Sequence, residues 1–307
     1  MSVDVSVLIV SWNTRDLTLR CLETLPAAAG DVSIEVIVVD NGSRDGTREA
    51  LAARNGIVLI ANEDNRGFAE AVNQAYRVSV APLVLLLNSD VELPADGLAS
   101  LVRFLHEYED AAGVAPLYVD PDGTPQPFNF ALPEFATTLA IGSAFVRTLP
   151  GFRERMRTHA IDADGLTAPQ PVPQPSASCL LLRRSMLPSD HVFDERFPIF
   201  FNDVALARSL AEQGRVLWVT PEVEAVHEGH ASTRQLGGAL KRQYVASVVR
   251  TLQDTEPRPR VWLYQTIVLA QGLVLWALRR PSALPLRDLR GAVAGDPGGL
   301  PQAPADR

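Results

Sequence analysis

The sequence predicts an α/β chain, a doubly wound and mostly parallel sheet with a helical attachment at its carboxyl end. Three observations lead there. Short apolar runs alternate with helical patterns through the first 120 residues, the order that builds parallel sheets with crossover helices. One run, Leu83–Leu87, is apolar throughout, as a central parallel strand covered on both faces must be. Beyond residue 235 the alternation gives way to helical segments.

The elements follow in order. Val5–Val10 is β-branched and apolar, hence a buried strand. Residues 14–26 set Leu17, Cys21, Leu22 and Leu25 on a helical stripe. Ile34–Val39 is a second strand, ending in Asp40-Asn41-Gly42-Ser43, and Asp45-Gly46-Thr47 opens a helix to about Arg54. Ile57–Ile60 is a third strand. Gly67–Arg77 is helical, with Phe68, Ala71, Val72 and Ala75 on one side, and Leu83–Leu87 is the fourth strand. Residues 121–175, rich in Pro and Gly, read as a long loop region with one helix near 134–147. Ala177–Arg183 and Val216–Val219 are strands; 202–213 and 235–253 are helices. The expected organisation is a domain over 1–235, a helical segment over 236–280 and a disordered tail over 281–307, where Pro, Gly and Ala dominate.

Composition narrows the function. The 307 residues, 47% apolar and 21% charged, describe a globular protein. A formal charge of −8 argues against a nucleic-acid partner. Between 241 and 290, however, nine basic residues face three acidic ones. Cys21 and Cys179 lie in apolar runs and read as buried thiols. The start of the chain has no basic n-region and too short an apolar run for a signal peptide, so the expected compartment is the cytoplasm.

Ligands of parallel sheets bind beyond the carboxyl ends of the strands. Three polar clusters fall there: Ser11-Trp12-Asn13, Asp40-Asn41-Gly42-Ser43 and Asn88-Ser89-Asp90. Each alone is a good turn sequence; three on one edge suggest a site. No G-x-G-x-x-G or P-loop follows the first strand, which disfavours dehydrogenases and NTPases. Asp40 offers an acceptor for a base N–H or a ribose hydroxyl. Asp90 offers a hard oxygen ligand for Mg²⁺ or Mn²⁺, the cations that neutralise a diphosphate.

At this point a resemblance emerges. The run from Val38 to Thr47, VVDNGSRDGT, looks like the nucleotide-binding signature of family 2 glycosyltransferases. Asn65-Arg66-Gly67 with Asn73 resembles that family's N-x-G-x-x-x-A-x-N segment, and Asn88-Ser89-Asp90 its D-x-D-type motif as found in the rhamnosyltransferase-like branch. Phe193-Asp194-Glu195-Arg196-Phe197 followed by Asn202-Asp203-Val204 is similar to the branch's F-D-E-x-F…F-E-D-V-D, and Val226-His227 with Gly229 and Ser232 to its terminal V-H-x-x-G-x-S. The matches cover roughly residues 3–235 in the expected order.

The resemblance implies a GT-A fold and an inverting transfer of a sugar, a deoxyhexose such as rhamnose. The donor would be a nucleoside diphosphate sugar and the acceptor a hydroxyl of a glycan or lipid-linked molecule. It makes Asp203 the general base; a plain acidic residue at a helix start is the structural alternative. Asp90 and His227 would hold the divalent metal, His227 being preferred to His230 by its place in the motif. With the sheet-edge clusters, it assigns Ser11, Asn13, Asp40, Asn41, Ser43, Asn65, Gly67, Asn73, Asn88 and Ser89 to the nucleotide sugar. Asn202 and Ala205 depart from the branch's usual Glu and Asp, and residues 172–178 from its usual strand entry. A nucleotidyltransferase would need a Lys-bearing loop after the first strand, whereas the only lysine is Lys241. A silent nucleotide-sugar-binding or scaffold protein is the other alternative. Lastly, Val261–Leu278 is apolar, flanked by Arg258, Arg260, Arg279 and Arg280 and carrying Trp262 and Trp276. It reads as a helix in peripheral contact with a membrane, which would put the enzyme at the inner face of the cell membrane; a core or oligomer helix and a marginal bilayer span are the alternatives.

Overall fold

The apolar runs and helical stripes fold as their periods require. In the computed structural model residues 3–126, 129–161, 166–229, 237–280, 284–300 and 302 are described. The first part runs β1 (Val5–Ser11), α1 (Arg15–Ala29), β2 (Ile34–Asn41), α2 (Thr47–Ala52), β3 (Val58–Asn62), α3 (Phe68–Val78), β4 (Leu83–Asn88), β5 (Val91–Glu92), α4 (Gly97–Glu107) and β6 (Ala111–Val119). Short pieces follow: β7 (Pro125–Gln126), β8 (Asn129–Phe130), α5 (Phe135–Gly142), α6 (Ala144–Arg147), α7 (Pro150–His159), β9 (Ala160–Ile161), β10 (Gln170–Val172) and β11 (Gln174–Pro175). Then come β12 (Cys179–Arg183), α8 (Asn202–Glu212), β13 (Val216–His227), α9 (Gly237–Thr255), α10 (Arg258–Ala277) and α11 (Leu286–Val293).

The main sheet has the order β10-β13-β6-β12-β4-β1-β2-β3. Its long ladders are parallel: β1 with β2 and β4, β2 with β3, and β6 with β13. β12 enters antiparallel between β4 and β6. Alternation along each strand loads both faces. Val7, Ile9, Leu85 and Leu87 pack with Leu22 and Leu25 of α1 and Leu98 and Leu101 of α4. Leu8, Ile37 and Leu86 pack with Val72 and Tyr76 of α3 and Leu206 and Leu210 of α8. A third core joins Phe201 and Val204 at the start of α8 to Val248 and Leu252 of α9, Tyr264 and Val268 of α10, and Leu289 of α11. The helical attachment therefore shares a core with the helix that carries Asp203.

The structure corrects three expectations. Residues 281–307 do not read as disorder where they are described: α11 forms there, with Leu284, Leu289 and Ala292 buried. Its short leucine-alanine stripe is enough because α9 and α10 offer an apolar surface to meet it. The region 121–175 holds a further helix, α7, opened by Pro150 at a first-turn position that suits proline. The strand expected over Val216–Val219 continues through a register shift after Thr220 to His227. Beyond the shift Val223, Ala225 and His227 are buried and Glu222 and Glu224 exposed, a period-2 signal. Among the described residues no helix is long and apolar enough to cross a membrane.

Candidate functional site

The three polar clusters do meet at one edge. Ser11 pairs with Asp40 and Val10 with Asn88 across the parallel ladders, so registry alone brings the loops together. Hydrogen bonds then lock them. The hydroxyls of Ser11, Thr14, Thr18 and Ser89 form a buried network, with Ser11 2.7 Å from Thr18 and Thr14 3.0 Å from Ser89. The Asn13 N–H donates to Ser43 Oγ at 2.9 Å, and Asn13 Oδ1 accepts from the Arg44 N–H at 2.8 Å. Asn13 adopts a left-handed φ of 51°, a conformation asparagine tolerates and loops at sites often use. Ser11 and Ser89 thus hold the loops from inside, and Asn13 and Ser43 join the first loop to the second.

Asp40 lies inside this edge, its carboxylate 3.3 Å from Arg48 Nε and sealed from solvent. Asn41 accepts from Asn62 Nδ2 (3.0 Å) and the Arg66 N–H (3.1 Å), and donates to Asn65 Oδ1 (3.0 Å) and the Gly67 carbonyl (3.2 Å). Its amide ties the loop after β2 to the loop after β3. Gly67 has φ +88°, and a Cβ there would come within 2.9 Å of the Pro198 carbonyl, so only glycine fits.

Asn73 departs from its expected role. It is fully buried, donates to the Phe193 carbonyl (2.8 Å) and Glu195 (3.0 Å), and accepts from the N–H groups of Val192 and Phe193 (2.9 and 3.0 Å). An amide has two donors and two main acceptor directions, and all are used. Asn73 is a clamp on the segment before α8, with no group left for a nucleotide sugar.

Asn88 donates to Ser178 Oγ at 3.1 Å, while its buried Oδ1 accepts no hydrogen bond. One turn on, Asp90 Oδ1 lies 3.6 Å from His227 Nε2. The backbone joins them as well: β5 pairs with the end of β13, His227 opposite Val91, and the Glu228 N–H donates to the Asp90 carbonyl. Gln126, from β7, sets the ring. Its Nε2 donates to the His227 carbonyl at 2.9 Å and to the Asp120 carboxylate. Both are pure acceptors, so the amide orientation is fixed and its Oε1 faces His227 Nδ1 at 3.0 Å. Nδ1 must then carry a hydrogen, and a neutral ring presents the Nε2 lone pair toward Asp90. Two ligands of one ion with bonds of about 2.1 Å stand roughly 3–4 Å apart, so the pair fits a divalent cation. Among the described residues no third His, Cys, Asp or Glu joins them. Mg²⁺-type ions accept such sparse protein ligation when substrate phosphates complete the shell. His230 lies outside the described residues.

Asp203 opens α8 behind Phe201, whose φ of 66° is left-handed. The strained turn is held by Asn202, which donates to the Ile199 carbonyl at 3.0 Å and accepts from the Asp203 N–H at 2.8 Å. The departure from Glu at 202 thus serves the turn. Burial pushes the Asp203 carboxyl above the ordinary aspartate value, against the downward pull of the Val204 N–H (2.9 Å) and Gln174 Nε2 (3.1 Å). A carboxylate raised in this way is a stronger proton acceptor. Its neighbours in sequence differ. Hydrogen bonds from Asn73 and Arg77 hold Glu195 low. For Asp194 burial acts upward, but Arg196 outweighs it and holds the carboxyl low. Tyr118 stands between the two centres, its ring 5.9 Å from that of His227 and its hydroxyl in the field of Asp203.

Gln126, Gln174 and Tyr118 escaped sequence reasoning. Gln126 acts 101 residues from its histidine, and no local spacing announces that. Gln174 lies in the proline-alternating run that departs from the branch pattern. Burial pushes both cysteine thiols well above their ordinary range, which leaves them inert. Two cavities of about 640 and 680 Å³ lie elsewhere, one behind α8 beside Arg77 and Asp254, the other at the amino ends of the strands beside Asp4 and Arg183. Asn73 apart, no residue assigned to the site lines either.

Comparison with known proteins gives the family and the fold. The family model "Glycosyl transferase family 2" matches residues 6–174. An N-acetylglucosaminyl-diphospho-decaprenol L-rhamnosyltransferase of Mycobacterium tuberculosis is 29% identical over 230 residues, 70% of this chain and 74% of the relative. The uncharacterized glycosyltransferase YfnE of Bacillus subtilis is 32% identical over 116 residues, 37% of this chain and 29% of its own length. Among solved structures, the mannosyltransferase PcManGT of Pyrobaculum calidifontis, in complex with GDP-Man and Mn²⁺, shares the fold. Its TM-score is 0.51 at 19% identity, over 96% of this chain and 75% of that one.

Proposed function

The chain belongs to glycosyl transferase family 2 and is a glycosyltransferase, and on that premise we propose an inverting transfer of a deoxyhexose such as rhamnose. The donor is a nucleoside diphosphate sugar and the acceptor a hydroxyl of a glycan or lipid-linked molecule at the inner face of the cell membrane. The observation that carries this reading is Asp203: a carboxyl at a helix start, raised by burial and oriented by Gln174, whereas Asp194 and Glu195 before it are held low. The rhamnosyl transfer and the lipid diphosphate in the mycobacterial relative's name support the sugar and acceptor classes. The GDP-Man and Mn²⁺ of the archaeal neighbour support a diphosphate donor with a divalent ion.

In this reading the acceptor oxygen attacks the anomeric carbon on the face opposite the diphosphate. The glycosidic C–O bond forms as the bond to the diphosphate oxygen breaks, and the hydroxyl proton passes to Asp203. Asp40 and the loop frame of Asn13, Asn41, Ser43, Asn65 and Gly67 position the nucleoside. Asp90 and His227 would hold Mg²⁺ or Mn²⁺, which neutralises charge on the departing diphosphate. Asn88, whose Oδ1 is unmatched, and Ser89 fix the loop that presents Asp90. A panel of nucleoside diphosphate sugars, with Mn²⁺ and with chelator, tests the proposal by nucleotide release. Release from a deoxyhexose donor only when metal is present is the expected result, and no release from any donor would end it.

A further inference from the structure

Helix α10 is apolar on two opposite sides, and the fold uses only one. Val261, Tyr264 and Val268 are buried in the third core. On the other side Trp262 is 65% exposed, Val274 56% and Trp276 50%, with Leu263 and Leu273 also open. Positions 262, 263, 266, 270, 273, 274 and 277 fall on one stripe of a 3.6-residue helix, and all are exposed, with Trp276 at its border. Leu278, just beyond the helix, is exposed too. A continuous apolar stripe of this length on a folded surface calls for an occupant.

Charge identifies the occupant. No acidic residue occurs between Glu256 and Asp288, whereas Arg258, Arg260, Arg279, Arg280 and Arg287 do. Among the described residues Arg258, Arg279 and Arg280 make no ion pair, and all three are exposed. The stripe thus has a tryptophan near each end and a pair of arginines outside each tryptophan. A second copy of the chain is a poor partner. Packed antiparallel or parallel, two such helices would bring arginine pairs together, and of these arginines Arg260 alone has a carboxylate, Glu256, beside it, so like charges would face one another across the contact. Anionic headgroups would meet the arginines, while the interfacial depth suits tryptophan.

We propose that this face of α10 is a docking surface for an anionic lipid bilayer, with the helix lying in the headgroup plane and Trp262, Leu263, Leu273, Val274 and Trp276 entering the acyl boundary. It lies in the plane because its other side is fastened to the protein. Leu289 of α11 packs against Gly272 so closely that a Cβ there would come within 2.5 Å, and Gln265 Nε2 donates to the Val293 carbonyl at 2.8 Å. Crossing the bilayer would tear these contacts open. The proposal does not depend on which sugar the enzyme carries, since nothing in it touches the donor site.

The test is sedimentation of the full chain with vesicles. The vesicles are pure phosphatidylcholine or a 7:3 mixture with phosphatidylglycerol, in low and high salt. Binding should require phosphatidylglycerol and weaken with salt. Removing Arg279 and Arg280 together with glutamine should weaken it about fivefold for each charge. Trp262→Glu with Trp276→Glu should reduce it at least tenfold, with melting temperature and metal-dependent nucleotide release unchanged. Trp262→Ala with Trp276→Ala is the milder pair if the glutamates disturb folding, and should weaken binding in the same direction. Wild-type protein that stays in the supernatant with anionic vesicles at low salt overturns the proposal. So does equal binding by a folded tryptophan double variant, or a lipid-free dimer by light scattering that Trp262→Glu dissociates.

Discussion

Gln126→Leu should weaken divalent-metal binding without touching either proposed ligand. Gln126 makes three hydrogen bonds around His227: from Nε2 to the His227 carbonyl and to Asp120, and from the Nδ1–H of the ring to Oε1. Leucine fills nearly the same buried volume and removes all three. The imidazole then loses the partner that fixes its tautomer and rotation, and Nε2 is no longer held 3.6 Å from Asp90. Loss of such an outer partner costs about 10–100-fold in metal affinity, or roughly 1.4–2.8 kcal/mol at 1.4 kcal/mol per tenfold. Mn²⁺ titrated into the protein and followed by the free-ion electron paramagnetic resonance signal reads this directly, with and without nucleoside diphosphate. Gln126→Glu separates positioning from stability. A carboxylate still accepts from Nδ1–H, so Mn²⁺ affinity should be kept, although the lost donor and the nearby Asp120 lower the melting temperature. A folded Gln126→Leu protein that binds Mn²⁺ within twofold of wild type would refute the reasoning, as would Gln126→Glu losing as much affinity as Gln126→Leu.

Asp203→Asn should cut transfer roughly 10²–10⁴-fold while donor affinity, measured by calorimetry, stays within a few-fold. Burial raises the native carboxyl above the ordinary 3.8, so the native state holds this proton more tightly than the unfolded chain. Stability from this group therefore falls as pH rises through that window, and the Asn variant should melt no lower than wild type at neutral pH, an advantage that fades below the ordinary value. In the wild type, transfer should rise with pH along a limb displaced upward from that value; a limb unchanged in Asp203→Asn would move the base elsewhere. Asp90→Ala should abolish the Mn²⁺ dependence of nucleoside diphosphate binding, and calorimetry showing that dependence intact would remove Asp90 from the metal. Asn73→Ala removes the partner of three buried backbone groups, the Phe193 carbonyl and the Val192 and Phe193 N–H, and should cost about 3 kcal/mol or more at 1–3 kcal/mol for each unsatisfied group, with nucleotide affinity of the folded fraction unchanged; reduced nucleotide affinity without lost stability would return Asn73 to the binding site.

The sheet and the edge that bears the site were legible because their signals are local. β4 announces itself by five apolar residues in a row, and the clusters at Ser11, Asp40 and Asn88 fall where parallel registry must gather them. Motif residues were less transparent in role than in place. Asn41, Asn65, Gly67 and Asn73 belong to matched segments, yet their polar groups hold loops to loops; a motif records that a residue is needed, not what its side chain faces. What stayed hidden depends on distant partners. Gln126 matters because its side chain reaches the end of β13 from β7, which pairs with β6, and Gln174 because β11 lies beside α8. α11 has too few apolar residues to stand alone and exists only on the surface of α9 and α10.

Gln302 exchanges hydrogen bonds with the backbone of Asn65, 237 residues earlier, at 2.8 and 3.2 Å. During synthesis that distance is time. At 5–20 residues per second the ribosome needs roughly 10–50 s to deliver one partner after the other. Among the described residues every strand of the main sheet precedes residue 228, so the sheet can close while α9, α10 and α11 are still being made. The nascent domain then passes through a stage with its strands paired and its 65–67 loop unlatched. A chain stalled near residue 230 isolates that stage, and hydrogen exchange at the Asn65 N–H, which donates to Gln302, faster there than in the finished protein, would time the latch.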